Sequence, residues 1–204
     1  MNEIGKFDRV SPVRREGSER FLVGGQATEF DLTDFWRWSV SDLVSNATRG
    51  RLAEYIVARA LDISTSGVRD EWAACDLCTE CGDKIEVKSA AYLQSWHQTK
   101  PSTVLFSVKK ARSWDSATNA LDPEPTRSAD VYVFALLHHI EKTSLDPMNL
   151  DQWCFFVLPT SALDKRERSQ HSITLQSLRA LTTQVDFSDL RGAVDAALGT
   201  RRTA

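Results

Sequence analysis

The chain of 204 residues is long enough for one sizeable domain, and its 42% hydrophobic and 26% charged residues are typical of a globular protein. No apolar run reaches 18 residues, which excludes a membrane-spanning helix, and the polar first segment does not predict a secretory signal, so we expect a cytoplasmic protein. The net charge of −3 excludes a surface that is basic throughout, but it leaves room for a local basic groove.

Three stretches of different character predict the domain organisation. Residues 1–28 combine several glycines with many charges, which indicates a flexible N-terminal arm. Residues 29–199 carry the periodic apolar patterns and are interpreted as a single domain. Residues 200–204 are expected to form a frayed tail.

Helical patterns come first in chain order. Asp31 or Thr33 is a suitable N-cap for a short helix, and its aromatic residues are interpreted as core or as a subunit contact: Phe35, Trp36 and Trp38. The clearest helix is predicted at residues 48–61, where the apolar side chains fall on one side.

Short apolar runs follow and predict strands at residues 71–79, 84–91, 104–108, 131–137 and 153–158. Further helical patterns cover residues 177–181 and 188–198, and Gly199 is a suitable stop for the last of them. Strands mixed with helices predict an α/β fold with a central mixed sheet.

The turn Glu80-Cys81-Gly82 sets the register of the first two strands. A three-residue turn that ends in glycine places Asp76 opposite Glu86. Directly opposed residues point to the same face of a sheet, with Cβ atoms about 4.5–5.5 Å apart. Because two carboxylates this close repel each other, the pairing predicts a hard cation between them, either Mg²⁺ or Mn²⁺.

Two further residues complete a predicted active centre. Strand alternation puts Glu86 and Lys88 on one face and turns Val87 towards the core. A lysine beside a metal provides positive charge where water is activated and phosphate is attacked. Glu54 lies on the border of the apolar side of its helix, from where it can reach over the edge of the sheet.

This arrangement resembles the PD-(D/E)xK, or restriction-endonuclease-like, nuclease superfamily. The resemblance is carried by residues 49–54, 75–77 and 85–89, within a match of about residues 48–137, and the wider stretch is similar to uncharacterised bacterial members. No proline precedes Asp76, which departs from the pattern in the family's name.

The resemblance implies a central mixed sheet flanked by helices and the metal-dependent hydrolysis of phosphodiester bonds in DNA, with RNA and the choice of endo- or exonuclease left open. It implies that Asp76, Glu86 and the carbonyl of Val87 bind Mg²⁺ or Mn²⁺. Lys88 would position or activate the water, and Glu54 would hold a metal ion or its water.

Several polar residues are candidates for contacts to nucleic acid. Arg49 and Arg51 lie about one turn before Glu54, where they can touch phosphates. Gln94 follows the Glu-x-Lys strand, and Lys109 and Lys110 belong to the densest basic cluster of the middle of the chain. Gln94 can also be a polar residue at the start of a loop, and Lys109 and Lys110 can also be a solvated strand end.

Alternative interpretations stay open. Cys75, Cys78 and Cys81 have regular spacing, but alternation turns the first two to opposite faces, so we interpret them as thiols and leave open whether Cys78 and Cys81 bind zinc. A catalytically inactive nucleic-acid-binding module on the same fold is one alternative function, and a zinc-stabilised interaction protein is another. A homodimer and a targeting partner protein are also open.

Overall fold

A computed structural model describes residues 10–115 and 118–202. The helices are α1 (Leu32–Val40), α2 (Asn46–Ala60), α3 (Thr160–Asp164), α4 (Leu175–Arg179) and α5 (Leu190–Arg202). The strands are β1 (Arg20–Val23), β2 (Gln26–Asp31), β3 (Leu77–Cys78), β4 (Lys84–Ala91), β5 (Leu105–Ser107), β6 (Trp114–Asp115), β7 (Ala120–Leu121), β8 (Val131–Leu137), β9 (Trp153–Pro159), β10 (Ser172–Thr174) and β11 (Gln184–Val185). Short 3-10 turns lie at Lys142–Ser144, Leu150–Gln152 and Phe187–Asp189.

A five-stranded mixed sheet organises the domain, with the strand order β11–β9–β8–β4–β3. β4 runs parallel to β8, and the other neighbours in the sheet are antiparallel. All seven residues of β8 are buried, which places this strand at the centre. The α/β fold with a mixed sheet is therefore confirmed, and β8 has the bounds predicted from its apolar run.

Both faces of the sheet are covered, as predicted. On one face, Val131 and Val133 pack in a core that includes Val57 of α2 and Val194 of α5. On the other face, alternate residues of β8 pack in a second core with side chains of α3, α4, β5 and β10: Tyr132, Phe134, Leu136, Leu163, Leu178, Phe106 and Ile173. No helix in the described part of the chain combines the length and apolar character needed to cross a lipid bilayer.

The N-terminal region contains more structure than an arm. β1 and β2 form an antiparallel hairpin, and Asp31 then caps α1 in a capping box with Asp34. α1 carries no buried residue, so its aromatic side chains do not form core, and a subunit contact remains the open interpretation. Residues 1–9 of the predicted arm and 203–204 of the predicted tail lie outside the described residues.

The first predicted strand and the end of the last predicted helix differ most from the structure. The strand predicted at residues 71–79 is reduced to β3, because most of the stretch that follows α2 is irregular. The last helix does not stop at Gly199 but continues to Arg202. A glycine inside a helix costs only about 1 kcal/mol, and the packing of Leu190 and Val194 in the core holds the helix that precedes it.

Candidate active site

The β3–β4 hairpin has the register predicted from its turn. Leu77 pairs with Ile85 and Cys78 with Lys84 in the antiparallel ladder, and Asp76 immediately precedes the first residue of β3. Gly82 has a φ of +85°, the left-handed conformation that a residue with a Cβ adopts only at a cost. The glycine turn therefore brings Asp76 next to β4 at the edge of the sheet.

Asp76 is the most perturbed carboxylate of this group. The pKa of its carboxyl is raised to about 6 by burial and by the charges of Glu86 and Glu54, against the lowering effects of the Val87 amide and Lys88. The amide of Val87 donates a hydrogen bond of 2.8 Å to Oδ2 of Asp76. Asp76 is thus fixed by the backbone of β4 in a place where additional positive charge would be favourable.

Glu86 and Lys88 form an ion pair on one face of β4, with side chains 21% and 30% exposed. Ile85 and Val87, which alternate with them, are buried in the core beneath α2. The alternation predicted for this strand is confirmed. The carboxylate and the ammonium group therefore share a partly open face at the edge of the core.

Glu54 reaches this region from α2, and it meets a residue that the sequence did not reveal. Arg69 donates two hydrogen bonds to its carboxylate, one of them 3.0 Å long from Nη2 to Oε1. The same Nη2 lies 3.9 Å from Oδ1 of Asp76. Arg69 belongs to the irregular segment between α2 and β3, where neither helical nor strand periodicity predicts which way a side chain points.

A chain of ion pairs continues from Arg69 to the rim of the site. Its Nη1 donates to Oε2 of Glu71 at 2.7 Å, and Nη2 of Arg51 lies 3.6 Å from the same oxygen. The side chains of Arg51 and Glu71 are 55% and 61% exposed. Of the predicted nucleic-acid contacts, Arg51 is thus the one placed next to the carboxylates.

The carboxylates of Glu54, Asp76 and Glu86 are the groups that could bind a divalent cation. Among the described residues, no three His, Cys, Asp or Glu side chains are arranged to hold a metal ion as they stand. Glu54 is turned to Arg69, and Glu86 is turned to Lys88. The chemistry nevertheless fits a hard cation, because clustered carboxylate oxygens are its preferred ligands, and burial together with the charges of Glu86 and Glu54 raises the pKa of Asp76.

Arg49 and Gln94 occupy a different environment from the one predicted. They are only 4% and 8% exposed. Arg49 donates hydrogen bonds to the carbonyl of Val44, the side chain of Asn46, the hydroxyl of Ser89 and Oε1 of Gln94. They join the start of α2 to β4 and the turn after it, so the structure does not support a phosphate contact by either residue.

Lys109 and Lys110 follow β5 after the buried Val108, and both are exposed. Their ammonium groups are accessible to a phosphate backbone. Their contact with nucleic acid stays a prediction.

The cysteines are free thiols in three different environments. Cys154 is buried in β9, and burial raises its pKa to about 12. Cys75 is half-buried, and burial raises its pKa as well. Cys78 and Cys81 are exposed beside an open cavity of about 660 Å³. Zinc binding by the exposed pair stays an open prediction.

Comparison with known proteins adds an independent line of evidence. Residues 28–177 match the model of a family described as bacteriophage T4 endonuclease IV. This span includes Glu54, Asp76, Glu86 and Lys88 and extends from β2 to α4. A comparison with curated proteins found no match.

Proposed function

Because the chain belongs to the bacteriophage T4 endonuclease IV family, we propose that it is a metal-dependent endonuclease that hydrolyses phosphodiester bonds in DNA. The family is a nuclease family, and its name favours internal cleavage over the removal of terminal nucleotides. The observation that carries the proposal is the closeness of Asp76 to the Glu86–Lys88 ion pair, whose two charges both act on its carboxyl group.

We further propose that the chain belongs to a branch of the PD-(D/E)xK superfamily. The support is the order of the parts: a glutamate on α2, an aspartate at β3, and Glu-x-Lys on β4 of a mixed sheet. The position before Asp76 is Cys75 rather than proline. The hydrogen bond from the amide of Val87 fixes the Asp76 carboxylate without a proline.

Each residue has a defined role in this proposal. Asp76 and Glu86, with the carbonyl of Val87, would hold Mg²⁺ or Mn²⁺, and Glu54 would hold a second ion or bound water. The cation supplies Lewis acidity and lowers the pKa of water when bound. Lys88 orients the attacking water and places a positive charge beside the phosphate oxygens, which gain charge as the bond breaks.

The substrate is held by charge at the rim. Arg51 lies beside the carboxylates, and Lys109 and Lys110 are exposed. Contacts of this kind are made to phosphates and carry no base sequence by themselves. They position the strand so that the phosphodiester bond reaches the face of Glu86 and Lys88.

A cleavage assay tests the proposed function. Wild-type protein and Glu86→Gln are purified side by side and incubated with single-stranded, duplex and branched DNA and with RNA, each with Mg²⁺, with Mn²⁺ or with EDTA. We expect DNA cleavage by the wild type that needs the metal and that Glu86→Gln loses. Equal cleavage by both proteins would indicate a contaminant or a different site, and DNA binding without cleavage would indicate a binding module.

A further inference from the structure

The guanidinium group of Arg69 occupies the space between two proposed metal ligands. Its Nη2 lies 3.0 Å from Oε1 of Glu54 and 3.9 Å from Oδ1 of Asp76. A magnesium ion bound to both oxygens would lie about 2.0–2.1 Å from each. An ion bound to these oxygens on the side where the guanidinium lies would come too close to Nη2, so this position of Arg69 and that position of the ion exclude each other.

The pairing of Arg69 explains how the carboxylates coexist in the absence of a metal ion. Two hydrogen bonds join its planar fork to Glu54, which is the geometry that guanidinium and carboxylate groups favour. One positive charge therefore serves Glu54 and lies close to Asp76. A divalent cation carries twice that charge and binds the oxygens directly, so it can replace the guanidinium.

On the function proposed above, we propose that Arg69 is the resident counter-cation of the metal-free site, and that it moves to the substrate phosphate when a divalent cation takes Glu54 and Asp76. The sequence did not identify this residue. The proposal adds a substrate-contacting arginine to the four predicted residues and makes metal binding the event that releases it.

The surroundings of Arg69 give it a place to go. It lies outside the helices and strands, on a segment that borders an open cavity of about 460 Å³ lined also by Glu54 and Asp76. Its remaining hydrogen bond is to Glu71 at the rim, where Arg51 lies 3.6 Å from the same carboxylate. Release from Glu54 would leave two arginines side by side at the rim, where they can bind one phosphate between them.

Metal titration without DNA tests the exchange. Calorimetry with MnCl₂ is carried out on wild type, Arg69→Gln and Arg51→Gln, the last being a matched control that removes a rim arginine paired with Glu71 rather than with Glu54. We expect Arg69→Gln to bind Mn²⁺ about ten-fold more tightly than wild type, or about 1.4 kcal/mol. Arg51→Gln should stay within about two-fold of wild type.

The transfer to phosphate is tested in the Lys88→Ala background, where cleavage is suppressed. With Mn²⁺ present, adding Arg69→Gln should weaken the binding of a single-stranded DNA oligonucleotide about ten-fold while the metal is bound more tightly. A purely structural role would weaken both. If Arg69→Gln does not fold, Arg69→Lys keeps the charge but removes the fork, and it should bind Mn²⁺ more tightly than wild type by about three-fold.

The outcomes separate this proposal from the proposed function. If wild type binds Mn²⁺ and Arg69→Gln binds it no more tightly than Arg51→Gln, the exchange is overturned and the proposed function stands. Unchanged DNA affinity would overturn the transfer to phosphate. If neither wild type nor the Arg69 variants bind Mn²⁺, the proposed metal site itself fails. Binding by the Arg69 variants alone would support the exchange.

Discussion

β4 and β8 are hydrogen-bonded neighbours along their whole length, yet they serve different purposes. β8 is buried at all seven positions and has a full-length partner on each side. β4 has β8 on one side, but β3 on the other is only two residues long. Beyond this short edge, Glu86 and Lys88 are partly exposed. Two strands that pair residue by residue thus differ in burial: β8 lies wholly in the core, and β4 carries the partly exposed residues of the proposed active site.

The largest expected effect is that of removing Lys88, which lies on the partly exposed strand β4. Lys88→Ala should lower the single-turnover rate of DNA cleavage by about 10²- to 10⁴-fold, because its charge acts on the water and the phosphate. The melting temperature should change little. Lys84→Ala, at an exposed position of the same strand, is the control and should cleave normally. Equal rates for Lys88→Ala and wild type would remove Lys88 from the proposed active centre.

A substitution in β8 tests whether the buried strand contributes to stability without affecting activity. Leu136 is 0% exposed in the second core, so Leu136→Ala should lower the free energy of unfolding by about 2–5 kcal/mol in a urea titration. The molecules that remain folded should cleave DNA at the wild-type rate. A large drop in the activity of fully folded Leu136→Ala would show that the two strands are not separable.

Asp76 belongs to the proposed active site and also affects stability. Its contribution to the free energy of unfolding depends on pH. Its folded pKa of about 6 is above the ordinary value of 3.8, so folding favours the protonated form. The stabilisation is complete below about pH 4 and is lost as the pH rises through 6. Relative to Asp76→Asn, metal-free wild type should lose on the order of 2–3 kcal/mol of unfolding free energy between pH 4 and pH 7.

The cation should reverse this loss in the wild type. Added Mg²⁺ or Mn²⁺ should raise the melting temperature of wild type at pH 7, because the ion binds the folded state. Asp76→Asn, which lacks one ligand charge, should gain much less. An equal gain in both proteins would place the metal elsewhere.

The smallest expected effect concerns the two exposed lysines that come after β5. Replacing both Lys109 and Lys110 by alanine should weaken DNA binding a few-fold. It should also reduce the logarithmic slope of the salt dependence by about 0.7–0.9 for each phosphate that the protein no longer neutralises. The single-turnover rate at saturating DNA should stay at the wild-type value. A slope that does not change would mean that these lysines do not face the DNA.

The parts of the sheet that could be predicted from the sequence are those that depend on a single local rule, such as strand alternation or turn length. The predicted bounds of β8, from its apolar run, and of β4, from its alternating pattern, are those of the structure. The glycine turn at Gly82 predicted the register in which Leu77 pairs with Ile85, because the loop length determines which residues face each other. These features depend on short stretches of chain, so periodicity and turn chemistry are sufficient.

The sequence failed where the position of a side chain depends on distant segments. Arg49 was predicted to touch phosphates because it lies about one turn before Glu54, but it is buried and bonded to Gln94 and Ser89, far along the chain. Arg69 was missed because the segment that carries it has no repeating pattern, and its path is set by packing and by pairing with Glu54. Contacts of this kind cannot be derived from spacing alone.

The parallel pairing of β4 with β8 also bears on how the protein folds. The chain between these strands, residues 92–130, must return across the sheet before the pair can form, whereas β8 and β9 are separated only by residues 138–152. Since the closure of longer loops costs more entropy, we expect the β8–β9 hairpin to assemble first and β4 to dock afterwards. The strand that carries Glu86 and Lys88 would then be among the last to reach its place during refolding, so that nuclease activity should recover later than the burial of Trp153.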